Sequence, residues 1–213
     1  MFSGIRLGIA VLSGRDHNPK FVKCLSEMLV VLASDKLLTF STMFRDNVGC
    51  LSAGRQLVLD QAIERGLTHL LYIDDDMTFP VTVAYDLLRH DVDVVALNAV
   101  RKDPSKLTFC ARHNDGSEVS SLGKHGLEQV RRVGMGVCLV RVETAAKAPK
   151  PHFEVVYNRT SKAYISEDYY FCDHLHAVGA KIYVDHEASQ KVGHVGDYVF
   201  GIDGSVVGGA IRA

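Results

Sequence analysis

Residues 68–77, THLLYIDDDM, carry the strongest indication of fold in this sequence. The run from 68 to 73 is short, continuous and apolar, and three consecutive aspartates, Asp74, Asp75 and Asp76, end it abruptly. A strand that is covered on both faces ends in this way at the carboxyl edge of a parallel sheet, where it meets solvent. The stretch therefore predicts a buried strand with an acidic cluster at its carboxyl end.

The segments before this strand alternate between strand and helix patterns. Residues 4–12 form a β-rich apolar run, and an amphipathic segment follows at about 19–33. A second strand is expected at 37–44, and a second helix at 51–65, closed by Gly66. Two strand–helix units in series predict right-handed βαβ connections and an α/β fold.

The pattern after the aspartates begins in the same way and then changes. Pro80 is expected to open a helix through Leu88, and the later elements alternate less regularly. They are expected as strands at 92–97, 106–112, 128–142, 181–185 and 189–195, a polar stretch at 114–126, and a helix at 166–178. The second half should therefore be mixed α+β, followed by a glycine-rich tail, 201–213, that we expect to be mobile.

Composition narrows the class of protein. With 213 residues, 47% apolar and 23% charged, the chain is expected to form one domain, 1–213. A net charge of -1 does not give the chain the overall positive charge that attracts nucleic acid or an anionic membrane. The apolar N-terminal run is too short to span a bilayer, so we expect no transmembrane segment and a cytoplasmic location. The five cysteines are an odd set without a C-x-x-C pair, which favours reduced thiols.

The aspartate cluster is a candidate metal site. Side chains alternate between the faces of a strand, so Asp74 and Asp76 are expected on one face and Asp75 on the other. Two carboxylates on one face repel each other unless a positive charge lies between them. Mg²⁺ or Mn²⁺ would bridge them to a diphosphate at the edge where open α/β sheets bind ligands. The alternative is a solvated acidic turn that caps the helix at Pro80.

Three further side chains are expected near this edge. Arg55 shares a helical stripe with apolar residues and should therefore point inward. It would pair there with a diphosphate or with the aspartates, or it would form a structural salt bridge. Asp168 also lies on an apolar stripe. It is either a general base for an acceptor hydroxyl or a residue that caps the helix. His194 lies between Gly193 and Gly196 in the sequence. It is either a metal ligand or a structural histidine.

Six segments, in order between residues 5 and 196, resemble the small, family-2-like GT-A glycosyltransferases of bacteria and bacteriophages. They are Gly54-Arg55; residues 68–77 with Phe79-Pro80; Val94-Val95-Ala96 with Arg101-Lys102; Gly134-Met135-Gly136 with residues 138–141; Ser166-Glu167-Asp168 with Phe171-Cys172; and residues 193–196. The resemblance implies a Rossmann-like mixed sheet flanked by helices, with a nucleotide-binding half, 1–100, and an acceptor-side half, 101–200.

The resemblance also implies roles for particular residues. Catalytic roles fall to Asp168 and Glu167, and metal ligation to Asp74, Asp76 and His194. The donor would be held by Ser13, Arg15, Arg55, Asp74, Asp75, Arg101, Met135 and Gly136. Lys102 would lie near the phosphates or the acceptor. Two features depart from the pattern: Gln56 stands where many relatives have Asn beside the helix arginine, and the short C-terminal region leaves little material for an acceptor domain.

The expected activity is transfer of a sugar from a nucleotide-diphosphate sugar, UDP-linked by preference, to an acceptor hydroxyl with inversion. Mn²⁺ or Mg²⁺ is the expected cofactor. The acceptor is expected to be a glycan or a hydroxymethylated base of phage DNA, and the oligomeric state is open.

Other classes of protein share parts of this pattern. Asp74-x-Asp76 after a strand also fits a haloacid-dehalogenase-type phosphohydrolase, although two βα units precede the motif here. A nucleotidyltransferase would share the acidic metal site, but no glycine-rich, lysine-bearing loop follows the first strand. A non-catalytic sugar-binding module is the third alternative.

Overall fold

The computed structural model describes residues 2–13, 17–36, 38–45, 49–103, 105–196, 199–203 and 205–207. Its elements follow the chain as β1 (Arg6–Leu12), α1 (Pro19–Ser34), β2 (Thr39–Arg45), α2 (Leu51–Glu64), β3 (His69–Asp74), β4 (Met77–Thr78), α3 (Val83–Leu88), β5 (Val94–Ala96), β6 (Leu127–Val130), β7 (Val137–Arg141), α4 (Val142–Ala145), β8 (Val156–Asn158), β9 (Ala163–Ile165), α5 (Glu167–Ala177), β10 (Ile182–Asp185), α6 (His186–Ser189), β11 (Gly193–Val195), β12 (Val199–Gly201) and β13 (Val206–Val207).

A seven-stranded mixed sheet forms the centre, in the order β2-β1-β3-β7-β5-β10-β6. β1 pairs in parallel with β2 and β3, as the βα pattern predicts, and β10 pairs in parallel with β5. β7 lies antiparallel between β3 and β5, and β6 is antiparallel to β10. Five strands consequently run in one direction and place their carboxyl ends at one edge of the sheet.

Helices cover both faces of this sheet, which explains the continuous apolar strands. Alternate residues of β1 and β3 divide between two cores: Ile9 and Ile73 pack with α1 and α3, whereas Ala10 and Tyr72 pack with α2 and α5. Every residue of β3 before Asp74 is buried. The predicted α/β architecture, a mixed sheet flanked by helices, is therefore confirmed.

Local signals fix the first two helices. α1 begins after Asn18, whose side-chain oxygen accepts a hydrogen bond from the backbone N–H of Lys20, and Pro19 occupies the first helical position. α2 is followed by Gly66 at φ +62°, a conformation that favours glycine after a helix. The predicted closure of this helix at Gly66 is confirmed.

Several sequence-based expectations for the second half are wrong. Residues 106–112 form no strand and contribute only isolated bridges at Phe109 and Arg112. Part of the expected strand 189–195 is helical, because the Asp185 carboxylate accepts a hydrogen bond from Ala188 N and starts α6. The helix expected from Pro80 begins only at Val83.

A second, four-stranded sheet has the order β13-β12-β11-β4. Gly201 and Val206–Val207 of the glycine-rich tail lie in its strands, while residues 208–213 lie outside the described part of the chain. β11 pairs with β4, the short strand that follows the aspartates, and so brings His194 opposite Met77. This sheet thus connects the acidic cluster to the last strands.

All five cysteines are free thiols. Among the described residues, no helix is both long and apolar enough to cross a membrane.

Candidate active site

The three aspartates at the end of β3 separate into different environments. β3 ends at Asp74, Asp75 and Asp76 form a turn, and β4 begins at Met77. The expectation that strand alternation places Asp74 and Asp76 on one face is therefore wrong, since the strand does not continue through them. Asp74 contacts Arg55, and Asp76 contacts Lys102 and His194.

Arg55 joins three elements of the fold. Its guanidinium, 3% exposed, donates to Asp74 on β3 at 2.9 Å and 3.3 Å and to Glu167 on α5 at 2.5 Å. Burial alone would lower the pKa of Arg55, but the charges of Asp74, then Glu167 and Asp168, raise it above its usual value. The predicted inward orientation of Arg55 is confirmed, and its partners are the carboxylates.

Asp76 is held between two basic side chains. Lys102 Nζ lies 2.5 Å from Asp76 Oδ2, and His194 Nε2 lies 3.4 Å from Asp76 Oδ1. Burial would raise the pKa of Asp76, but its contacts with His194 and Lys102 lower it, so the carboxylate is ionised at neutral pH. The backbone fixes this geometry as well, since Val195 N donates to Asp76 O at 2.6 Å.

His194 presents a defined nitrogen to Asp76. Its Nδ1 lies 2.8 Å from the carbonyl oxygen of Val100, which only accepts, so Nδ1 carries the hydrogen. Its other ring nitrogen, Nε2, lies 3.4 Å from Asp76 Oδ1.

The residues at this point fit a divalent cation. Asp76 Oδ1 is buried and, among the described residues, has no hydrogen-bond partner, and it lies 3.4 Å from His194 Nε2. Carboxylate oxygen and imidazole nitrogen are both ligands for Mn²⁺. In the described ranges, no three His, Cys, Asp or Glu side chains form a group that could hold a metal ion. Two side chains of the described residues, Asp76 and His194, could therefore hold a cation, and phosphate or water oxygens would have to supply its other ligands.

Asp168 lies in the first turn of α5 with one oxygen available. Ser166 Oγ and Tyr169 N both donate to its Oδ1, and among the described residues no hydrogen bond to its Oδ2 is found. Gly134 faces Oδ2, since a Cβ on this glycine would lie 3.8 Å from it. Burial would lower the pKa of Arg101, but the nearby Cys110, Tyr169 and Asp168 raise it.

The other candidate donor-binding residues line or support the same edge. Ser13 follows β1 and is buried, with its backbone N–H donating to Arg45 O at 2.8 Å. Asp75 Oδ2 lies 3.6 Å from His17 Nδ1. Arg15 lies outside the described residues.

The Met135-Gly136 pair lies behind the aspartates. Met135 is buried in the core, and Gly136 O accepts a hydrogen bond from Asp74 N at 2.9 Å. A Cβ on Gly136 would lie 3.2 Å from Met77 Sδ, so a larger residue there would press on the turn.

Gln56 has a structural role that the sequence did not reveal. Its side chain accepts from the backbone N–H of His152 at 2.7 Å and contacts His152 Nδ1 at 2.9 Å. It thereby ties α2 to the segment that precedes β8. The motif comparison singled out Gln56 as a departure, but its partner is 96 residues away and gave no local signal.

No family model and no curated protein matches the sequence. Solved structures do match. Protein A197 from STIV superposes with a TM-score of 0.63 at 16% identity, over 98% of this chain and 96% of that one. A mutant of Drosophila β1,4-galactosyltransferase 7, in complex with manganese, UDP-Gal and xylobiose, superposes with a TM-score of 0.51 at 11% identity, over 89% of this chain and 71% of that one.

The chain has the GT-A fold. At such low identities the likeness is one of fold, and function depends on the site.

Proposed function

We propose that the chain is a metal-dependent glycosyltransferase that moves a sugar from a nucleotide-diphosphate sugar to an acceptor hydroxyl. The observation that carries this proposal is the position of Asp76 Oδ1, which is buried, has no hydrogen bond among the described residues and lies 3.4 Å from His194 Nε2, at the carboxyl edge of a GT-A sheet. The similar galactosyltransferase structure holds manganese and UDP-Gal, which supports a UDP-sugar as the donor.

The proposed cation site consists of Asp76 and His194. A divalent cation bound there would neutralise the charge that develops on the leaving nucleoside diphosphate. Asp74, a candidate ligand from the sequence, gives both oxygens to Arg55, and the proposal assigns it to positioning Arg55 beneath the donor. Lys102 contacts Asp76 and lies within reach of a diphosphate bound at the same edge.

The donor is proposed to lie along the edge formed by the ends of β1 and β3. Ser13, Arg15 and Asp75 would contact the nucleotide, and Arg101 its phosphates or the acceptor. The Met135-Gly136 pair would support the sugar from beneath, because it packs directly behind Asp74 and Met77.

Asp168 is the proposed general base. Its Oδ1 is fixed by Ser166 and by the backbone of Tyr169, so its Oδ2 is free to accept the proton of an attacking hydroxyl. Glu167 is bound to Arg55 and holds the start of α5 against the aspartates. Attack from the side opposite the diphosphate gives inversion.

A thermal-shift screen of nucleotide-sugars tests this function. A ligand that binds only the native state at about 100 times its Kd stabilises it by about 2.7 kcal/mol. For a chain of this size we expect the midpoint to rise by about 5–10 °C for one nucleotide-sugar with Mn²⁺. The rise should shrink without Mn²⁺ and in His194→Ala. If no nucleotide-sugar shifts the midpoint, the proposal is wrong.

A further inference from the structure

The hairpin of β8 and β9 exposes a pair of tyrosines. Tyr157 and Tyr164 are direct cross-strand partners and therefore lie on one face of the hairpin. Their rings meet edge to face with centroids 5.2 Å apart, yet Tyr157 is 51% and Tyr164 75% exposed. Val155, two residues before Tyr157, is also half exposed. The hairpin thus presents an apolar, aromatic face to solvent.

This hairpin is connected to α5, the helix that carries the proposed base. It forms a sheet of its own, and the chain leaves β9 directly into Ser166 and the start of α5. Tyr164 is four residues before Asp168. The other end of the hairpin is anchored by Phe153, which stacks on Phe171 of α5 with centroids 4.3 Å apart. The aromatic face is therefore held by the same helix that carries the proposed base.

The tip of the hairpin carries two cations on an ordered turn. Asn158 Oδ1 accepts hydrogen bonds from Thr160 N at 2.9 Å and Ser161 N at 3.1 Å, which fixes the turn. Arg159 and Lys162 flank these residues, and in the described part of the chain neither forms an ion pair. An aromatic face next to two unpaired cations suits a ligand that is apolar on one side and negatively charged at its end.

We propose that the hairpin binds the acceptor and that this acceptor is an anionic saccharide. The C–H face of a sugar ring packs on the exposed ring of Tyr164, and a carboxylate or phosphate of the saccharide pairs with Arg159 and Lys162. This assignment rests on the proposed glycosyl transfer. It places the saccharide on the segment that leads directly into α5, the helix that carries Asp168.

A saccharide fits this surface better than a nucleic acid. Duplex binding draws on a series of phosphate contacts, typically about 6–10. The hairpin offers two unpaired cations, and the chain as a whole has a net charge of -1. The surface therefore matches a ligand in which one charged group lies beside one sugar ring.

A single tryptophan makes the binding directly observable. The chain contains no tryptophan, so Tyr164→Trp introduces the only one and keeps an aromatic ring at the surface. Its fluorescence is titrated with anionic saccharides (trigalacturonate, 3′-sialyllactose, mannose 6-phosphate), with neutral ones (maltotriose, xylotriose), and with a hydroxymethylcytosine duplex. We expect a saturable change with at least one anionic saccharide, at an affinity about tenfold or more above that of the neutral ones. Adding Arg159→Ala and Lys162→Ala should remove this preference.

Equal responses to neutral and anionic saccharides, a response to the duplex alone, or no response would overturn the proposal.

Tyr164→Ala and Tyr164→Phe separate ligand binding from hairpin stability. Alanine should weaken saccharide binding about tenfold, whereas phenylalanine should preserve it, and both should keep the wild-type Mn²⁺-dependent shift with the nucleotide-sugar. Loss of that shift in Tyr164→Ala would show that the tyrosine supports the fold rather than the acceptor. Saccharide binding by a protein that responds to no nucleotide-sugar would leave the hairpin site intact and reject the transferase.

Discussion

Replacing Asp76 by alanine is expected to reduce sugar transfer by about 10³-fold. The substitution removes the buried oxygen that faces His194, and with it one of the two protein ligands of the proposed cation site. Removing one preorganised electrostatic group from a reacting centre typically costs about 10²–10³ in rate. The loss of the metal as well places the expected effect at the upper end of this range. The measurement is the initial rate of nucleoside diphosphate release with saturating donor and Mn²⁺.

Asp115→Ala is the matched control for this variant. Asp115 is an exposed aspartate whose carboxylate accepts from Ser117, so its removal leaves the carboxyl edge unchanged. We expect wild-type turnover in Asp115→Ala. Asp76→Ala should keep a folded-state thermal midpoint near that of the wild type while losing its Mn²⁺-dependent shift. Wild-type turnover in Asp76→Ala contradicts the assigned role.

Arg55→Met is expected to destabilise the protein by several kcal/mol. Methionine fills part of the volume but leaves Asp74 and Glu167 close together without a cation. Breaking a buried ion pair by removing one partner costs about 3–5 kcal/mol, because the remaining charge stays buried. Asp74 is 29% exposed, so the cost should lie toward the lower end of that range. Urea unfolding of the wild type and the variant gives the difference in the free energy of unfolding.

Arg141→Met provides the comparison at an exposed ion pair. Arg141 donates to Asp91 at 2.6 Å, but the Asp91 side chain is 84% exposed. An exposed pair contributes about 0–1 kcal/mol, so this variant should unfold nearly as the wild type does. Equal losses of stability in Arg55→Met and Arg141→Met would show that the buried ion pairs of Arg55 stabilise the fold no more than an exposed ion pair does.

The sequence predicted those parts of the fold that depend on local pattern. The apolar run before Asp74 identified the central strand, since burial on both faces leaves a continuous apolar signature. Helical periodicity placed Arg55 inward, and the structure shows it buried. Gly66 marked the end of α2 because its positive φ is a local requirement of the chain.

The resemblance placed His194 beside Asp76, but other parts that depend on distant partners were not predicted. The turn at Asp75 and Asp76 forms because Asp76 O and Met77 pair with β11, which lies more than 110 residues further along the chain. The Lys102 contact with Asp76 likewise has no local signature. Residues 106–112 have a strand-like composition, but in the described part of the chain they pair only through isolated bridges at Phe109 and Arg112. The β8–β9 hairpin was missed because its strands are three residues each.

The site at Asp76 and His194 is proposed to cleave the bond between a sugar and a nucleoside diphosphate. Phosphorus NMR of the products, with the nucleotide-sugar that shifts the thermal midpoint, identifies the bond that is cleaved. We predict a nucleoside diphosphate as the only new phosphorus species, formed with Mn²⁺ and absent in Asp76→Ala. Inorganic phosphate would indicate a phosphohydrolase, and a nucleoside monophosphate would indicate cleavage within the diphosphate. Either of these products, or an unchanged nucleotide-sugar, would contradict the claim.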